Sequence, residues 1–276
     1  MVFYSTGVKE LDDLFGGYRT TLIAFYGETG SAKTTLSAYV PILQITADLK
    51  SRYGKVPDSK YFVIIDTDGG FDYERLEEIL QNNKIDPGEV LDHIKYWNVV
   101  EFDEQHKLIK DLPKTIKEEK WEPLLLTLDP IVGIYHGIIL RTDEKYRAAA
   151  IGSYTGKIGL QLTTLRRLSV KYDCPAIATT WPQSPVGESM RRGAVQKLAK
   201  ELGISIEEAE EQVPRSEIPL LGGREVGFLP KVIVELRVLK RDSPVREAVL
   251  FKHRSKPAGR RVRFKLCDAG IEGLSN

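Results

Sequence analysis

The sequence predicts an α/β fold: a mostly parallel central sheet with helices on both faces and an antiparallel β extension at the C-terminal end. Three observations carry this. Short apolar runs alternate with stretches of helical period through most of the 276 residues, the pattern of parallel strands buried on both faces. "GETGSAKTT" (27–35) joins one such run to a helix through a turn of small residues. Near the end, three strand-like runs alternate with period two across short Pro- and Gly-containing connections, which read as antiparallel strands.

The elements follow in order. "TTLIAFY" (20–26) is a buried strand, and the helix after Lys33 carries Pro41, which should kink or divide it. "SKYFVIID" (59–66) is a second strand, and "YERLEEILQNN" (73–83) places Leu76, Ile79 and Leu80 at helical spacing. "HIKYWNVVEF" (93–102) reads as a third strand, and 106–121 as an amphipathic helix broken near Pro113. "PLLLTLD" (123–129) is a strand closed by a carboxylate, and a helix over about 152–171 leads into "CPAIATT" (174–180). Residues 191–212 are charged and helical in period, with a break at Gly203-Ile204-Ser205. Strands over 231–239, 246–253 and 260–267 complete the chain, the first with Val232, Val234, Leu236 and Val238 on one face. The whole, 1–276, is expected to form one domain with a charged helical insertion at about 185–217.

Hydrophobic residues make up 42% of the chain, which fits a packed core, and the net charge is +1. No global field marks a nucleic-acid or membrane partner, so such a partner must be met by a local patch. Cys174 and Cys267 lack metal spacing and read as free thiols of a reducing compartment. The opening has no basic and apolar leader, and no apolar stretch reaches the roughly 18 residues of a membrane span. A cytoplasmic location is the expectation. His93, His106, His136 and His253 are scattered, which argues against a metal site or catalytic triad.

"GETGSAKTT" follows a strand and opens a helix, the context a phosphate-binding loop requires. Gly27, Glu28, Thr29, Gly30, Ser31, Ala32, Lys33, Thr34 and Thr35 form the candidate nucleotide site. Its backbone N–H groups would cradle phosphate oxygens, Lys33 would neutralise their charge and Thr34 would hold Mg²⁺. Ala32 stands where the usual pattern has glycine. With negative φ its methyl costs little; with positive φ the strain is on the order of 1 kcal/mol. Asp129, ending the apolar run 123–129, is placed to assist Mg²⁺, and Asp66 and Asp68 end another strand, where ligands sit in open α/β sheets.

These motifs carry a resemblance. "STGVKELDDLFGG" (5–17) is similar to the opening of RecA-superfamily ATPase cores, and "IIDTDGGFDYERL" resembles their "DTEG…ER" segment. The tail from Gly222, with Lys252-His253-Arg254-Ser255-Lys256-Pro257-Ala258-Gly259, Phe264 and Gly270-Ile271-Glu272, resembles the archaeal RadA/RadB group, whose run is "KHRSRPEG…FRIT…GIE". The likeness spans nearly the whole chain except about 185–215. It implies a RecA-like P-loop NTPase that binds ATP and Mg²⁺, with Asp68 at the position that orients the attacking water. Three departures lie on the hydrolysis and coupling path: Asp68 for glutamate, Ala32 for glycine, and "TTWPQ", with Trp181 and Pro182 before Gln183, for "TNQ". They imply slow or absent turnover. The absence of the N-terminal helical DNA-binding domain and of the Phe-x-x-Ala linker implies an accessory paralogue that does not form long filaments.

"KHRSKPAGRRVRFK" (252–265) carries Lys252, Arg254, Lys256, Arg260, Arg261, Arg263 and Lys265 with no acid. On its strand, Arg261, Arg263 and Lys265 share one face, a basic stripe suited to DNA phosphates. The first six are the candidate DNA-binding residues. A charged edge strand that resists aggregation is the alternative for the same residues, and Lys252 and Arg254 could instead reach a neighbour's ATP. The segment 184–217 lies where the family places a mobile DNA-binding loop. Arg191, Arg192, Lys197 and Lys200 could touch DNA, whereas Glu207, Glu208, Glu210 and Glu211 oppose it, and a lid or partner surface fits equally.

The expectation is an ATP- and DNA-binding RecA-family paralogue that modulates homologous recombination and DNA repair, with weak or no ATP hydrolysis. Its partners would be ATP, single-stranded or branched DNA, and the main recombinase. The alternative is a KaiC-like regulatory ATPase that acts through protein partners without DNA.

Overall fold

The computed structural model describes residues 2–182, 195–196, 198–206, 208–209 and 220–274. A small ribbon of β1 (Phe3–Tyr4) and β2 (Tyr18–Arg19) brackets α1 (Lys9–Phe15). The chain then enters β3 (Leu22–Gly27), turns through the phosphate-loop segment and passes a π-helical turn (Thr35–Tyr39) into α2 (Val40–Tyr53). There follow β4 (Lys60–Asp66), α3 (Tyr73–Asn82), α4 (Gly88–Leu91), β5 (Ile94–Asn98) and α5 (Phe102–Glu119). Next come β6 (Glu122–Asp129), α6 (Gly133–Arg141), α7 (Glu144–Tyr172) and β7 (Ala176–Thr180). After α8 (Arg224–Phe228), β8 (Val232–Val238), β9 (Val245–Lys252), β10 (Arg261–Cys267) and β11 (Gly270–Gly273) end the chain.

Nine of these strands form one sheet in the order β11-β10-β9-β8-β3-β7-β6-β4-β5. From β8 to β5 every pairing is parallel, and β8 to β11 pair antiparallel, as the two kinds of hydrophobic pattern predict. Chain order reverses beside β3: the next strand, β4, lies beyond β7 and β6. The carboxyl ends of β3, β4 and β6 therefore border one crevice, where α/β sheets bind ligands.

Each central strand feeds two cores. Ile23 and Phe25 of β3 face a cluster with α1, α2 and α3, while Leu22, Ala24 and Tyr26 face one with α5, α6, α7 and α8. Alternation is invisible in such strands because both faces are buried.

Pro41 falls in the first turn of α2, directly after the π turn. Lacking an N–H, it cannot donate to Ser37 four residues back. The Ser37 carbonyl instead accepts the Thr127 hydroxyl of β6 at 2.7 Å, so the predicted division is compensated by the sheet. The expected break at Pro113 does not occur, and α5 runs unbroken through it. Ile109, Leu112 and Ile116 are buried on both sides of the proline, and that packing outweighs a cost of about 3 kcal/mol. The strand expected over 93–102 stops at Asn98, and Phe102 opens α5. α7 starts at Glu144, ahead of the expected 152, because Asp143 caps it through Lys145 N–H. Its first turns are largely exposed and carry no apolar period to read.

In the predicted insertion, 198–202 is helical, Gly203 has φ 64°, and helix resumes beyond Ser205. Ser205 and Glu208 exchange backbone-to-side-chain hydrogen bonds at 2.9 and 3.1 Å, a capping box. Gln183, Arg191, Arg192, Lys197, Glu207, Glu210 and Glu211 lie outside the described residues. Among the described residues, no helix is long and apolar enough to cross a membrane.

Candidate nucleotide site and basic surface

Asp66, at the end of β4, is 1% exposed. Its carboxylate accepts the backbone N–H groups of Asp68, Gly69, Gly70 and Phe71 at 3.0, 2.8, 3.3 and 3.0 Å, and the Tyr96 hydroxyl at 3.1 Å. The two aspartates predicted at this strand end thus divide their work. Asp66 builds the turn, and that turn presents Asp68 at the surface beside the phosphate loop. A methyl built at Gly70 would lie 2.9 Å from an Asp68 oxygen and 3.8 Å from the Thr34 hydroxyl, which locates Asp68 next to Thr34.

Asp129 is buried at the end of β6. One carboxylate oxygen accepts the Thr179 hydroxyl of β7, and the other accepts Ser37 Oγ at 3.2 Å. Burial pushes its pKa up, while hydrogen bonds from Thr179 and Thr34 and the Lys33 charge oppose that shift. The Asp68 carboxyl is raised to about 6, by burial first and then by the charges of Asp129 and Asp66. Lys33 is lowered by burial, against the pull of Asp129, Asp68 and Glu28. Its ammonium donates to the carbonyls of Gly27 and Glu28 at 2.9 and 2.8 Å. The structure therefore brings Lys33, Thr34, Asp68 and Asp129 into one crevice, as a cation, a hydroxyl and two carboxylates.

Ala32 has φ 79° and Gly30 φ 78°. The strained alternative for Ala32 is the one realised, since an L-residue there costs about 1 kcal/mol or more. Glu28, Thr29 and Gly30 line an open cavity of about 630 Å³ with Lys240, Arg241 and Arg246. Ser31 is buried, and Thr35 opens the π turn.

The sequence reading missed Ser37, Thr179 and Arg246. Ser37 sits in a helical stretch with no motif, Thr179 opens the "TTWPQ" segment that is read for Trp181, Pro182 and Gln183, and Arg246 lies within a strand pattern. Their roles depend on which strands are neighbours.

The basic stripe is divided in use. Arg254, Arg260, Arg261 and Arg263 are exposed. Arg263 Nε lies 3.5 Å from Oε1 of Glu247, whose Oε2 meets Arg237 at 3.8 Å, and Lys265 pairs with Glu272 at 2.6 Å. Lys252 and Lys256, two of the candidate DNA-binding residues, make hydrogen bonds within the fold. Lys252 Nζ donates to the Gly227 and Phe228 carbonyls, both at 2.9 Å, and Lys256 Nζ to the Asp13 carbonyl at 2.5 Å. Each holds carbonyls at the carboxyl end of a short helix, a use invisible until helix and hairpin are docked.

A central strand leading into a phosphate-type loop, flanked by acidic strand ends in a largely parallel sheet, defines the RecA-like P-loop architecture. Residues 1–206 match the profile of the Rad51 family, and the chain belongs to that family. It is similar to the DNA repair and recombination protein RadB of Thermococcus sibiricus, with 29% identity over 272 residues, 98% of this chain and 95% of that protein. The RadB of Pyrococcus horikoshii is 27% identical over 270 residues, 97% of this chain and 93% of that protein. The crystal structure of a RadB recombinase matches with TM-score 0.68 and 24% identity, covering 98% and 99% of the two chains, a likeness of fold.

Proposed function

We propose that this chain is an ATP- and DNA-binding accessory member of the Rad51 family that acts in homologous recombination and DNA repair, with slow or absent ATP hydrolysis. The observation that carries the reading is the single crevice holding Lys33, Thr34, Asp68 and Asp129 (three of them with altered acidity). Backbone N–H groups of 27–35 and the Lys33 ammonium would hold the phosphates. The Thr34 hydroxyl and the Asp129 carboxylate, which it helps to hold in the charged form, are hard oxygen donors of the kind Mg²⁺ takes. Bound there, Mg²⁺ would offset charge on the phosphate oxygens. Asp68 would orient water, but its carboxylate is one methylene shorter than the family's glutamate, and about 1 Å of misplacement costs on the order of 100-fold. Residues 1–276 are read as one domain acting in the cytoplasm, with the main recombinase as partner.

For DNA, Arg254, Arg260, Arg261 and Arg263 remain available, and exposed cations of this kind contact phosphates without sequence preference. The engagement of Lys252 and Lys256, and the Glu247 carboxylate beside Arg263, favour the second reading: a regulatory ATPase acting on protein partners. Single-stranded DNA binding across a salt series, with and without ATP, separates the two. Binding should weaken with salt, and replacing Arg261 and Arg263 by alanine should lower the log–log slope by about 1.4, at roughly 0.7 per lost phosphate contact. No binding at low salt would overturn the DNA reading.

A further inference from the structure

A second cavity, of about 170 Å³, opens at the end of the sheet opposite the phosphate loop. At about 30 Å³ per water molecule it has room for several waters or one small anion. Thr20 and Thr21 precede β3, Lys231 precedes β8, and His253, Arg254 and Ser255 follow β9. Because β8 runs parallel to β3 and β9 antiparallel to β8, these segments end side by side, and Arg19 reaches in from β2.

Three cations line the cavity, while the Asp173 carboxylate accepts the Thr20 hydroxyl and Asp12 and Asp13 act on neighbouring Lys256. Among the described residues, Arg19, Lys231 and Arg254 have no carboxylate within ion-pair distance. Arg19 Nε donates to the Gly16 carbonyl at 2.6 Å and its guanidinium lies 5.1 Å from the Phe3 ring, so it is fixed in place without being neutralised. His253 Nδ1 accepts the Ser255 N–H at 3.1 Å, which shapes the turn that carries Arg254. The neighbouring groups register the field. His253 is held below its usual pKa by burial and by Lys256, Arg19 and Arg254, and Lys252 by burial and Lys231. Converging cations in a concave, hydroxyl-lined site are matched by an anion.

We infer that this cavity is a phosphate-binding site, in which Arg19, Lys231 and Arg254 supply charge and the Thr21 hydroxyl supplies a hydrogen bond, and that the phosphate is a backbone phosphate of single-stranded DNA. The DNA assignment rests on the proposed function. It is favoured over a free nucleotide by continuity, because the hairpin carrying Arg254 runs on through Arg260 to Arg261 and Arg263, so a strand seated in the cavity meets a line of cations.

The test uses the full chain, a labelled oligothymidylate and lysine acetylation read by mass spectrometry. Oligothymidylate should slow acetylation of Lys231 several-fold relative to exposed Lys110 on α5, and ATP at the same phosphate concentration should not. Lys231→Gln with Arg254→Gln should weaken oligothymidylate binding about tenfold and lower the salt slope by roughly 0.7, one phosphate contact. Arg19 is left intact because it also bonds Gly16. If the parent protein binds no oligothymidylate, the DNA reading itself fails. If it binds while Lys231 stays unprotected and the double variant keeps the parent slope, the cavity assignment alone is overturned. Protection by ATP and not by oligothymidylate overturns the assignment to DNA.

Discussion

Arg246 Nε donates to the carbonyl of Gly30 at 2.7 Å across a sequence separation of 216 residues. Its Nη1 donates to the carbonyls of Ser243 and Val245 at 2.6 and 2.9 Å, and the side chain is 9% exposed. One guanidinium therefore ties the crest of the phosphate loop to the hairpin between β8 and β9. Removing a charged donor from these partly buried carbonyls costs about 2 kcal/mol. Arg246→Ala should lower unfolding free energy by about that amount and weaken ATP binding measured by calorimetry, with Arg246→Lys recovering part of both. Unchanged ATP affinity in a destabilised Arg246→Ala would show that the residue serves the fold and not the loop.

Ala32 stores strain where the loop turns. At φ 79° an L-residue is about 1–2 kcal/mol worse than glycine, whereas glycine loosens the unfolded chain by about 0.4–1 kcal/mol. Strain relief is the larger effect, so Ala32→Gly should raise the urea midpoint slightly, by about 0.5 kcal/mol of stability. Combined with Asp68→Glu, which restores reach toward the attacking water, it should also raise ATP turnover. A double variant no faster than its parent would place the slow step elsewhere.

The strands, their parallel order and the phosphate loop were legible because a buried strand and a loop of small residues are local patterns. What was hidden depended on tertiary neighbours. Pro113 reads as a break until Ile109, Leu112 and Ile116 are seen packed beneath it. Lys252 and Lys256 read as part of a basic tail, and their bonds to α8 and α1 are visible only once those carbonyl ends dock against the hairpin. Asp66 has no role legible in the sequence beyond its place at a strand end, until it is seen to collect four backbone N–H groups. β11 was missed because its four residues, Gly270–Gly273, show little pattern, and pairing with β10 defines them.

The acidity of Asp68 gives a pH dependence with a definite sign. The folded carboxyl keeps its proton up to about 6, whereas an unfolded aspartate releases it near about 3.9. Between those values the folded state binds more protons, so this group's contribution to stability falls as pH rises from about 4 to about 6. Asp129, also raised by burial, acts in the same direction. Asp68→Asn should flatten this part of the urea-midpoint profile and leave the protein more stable than its parent at neutral pH. A profile identical to the parent's would mean that the carboxyl titrates normally.

Gly27 and Gly30 stand three places apart in the loop and should respond differently to the same methyl. Gly30 has φ 78°, but a methyl built there meets nothing within 4 Å, so Gly30→Ala carries only the backbone cost of about 1 kcal/mol. A methyl at Gly27 overlaps the Leu236 carbonyl of β8 and lies 2.5 Å from Ser31 Oγ. That carbonyl belongs to the strand paired with β3 and cannot turn aside as a flexible side chain would. Gly27→Ala should therefore cost about 3 kcal/mol, the upper end for overpacking, with most of it seen as faster unfolding. Equal losses in the two variants, measured by urea unfolding, would show that β8 yields at Leu236 and that close approach is not what selects glycine at 27.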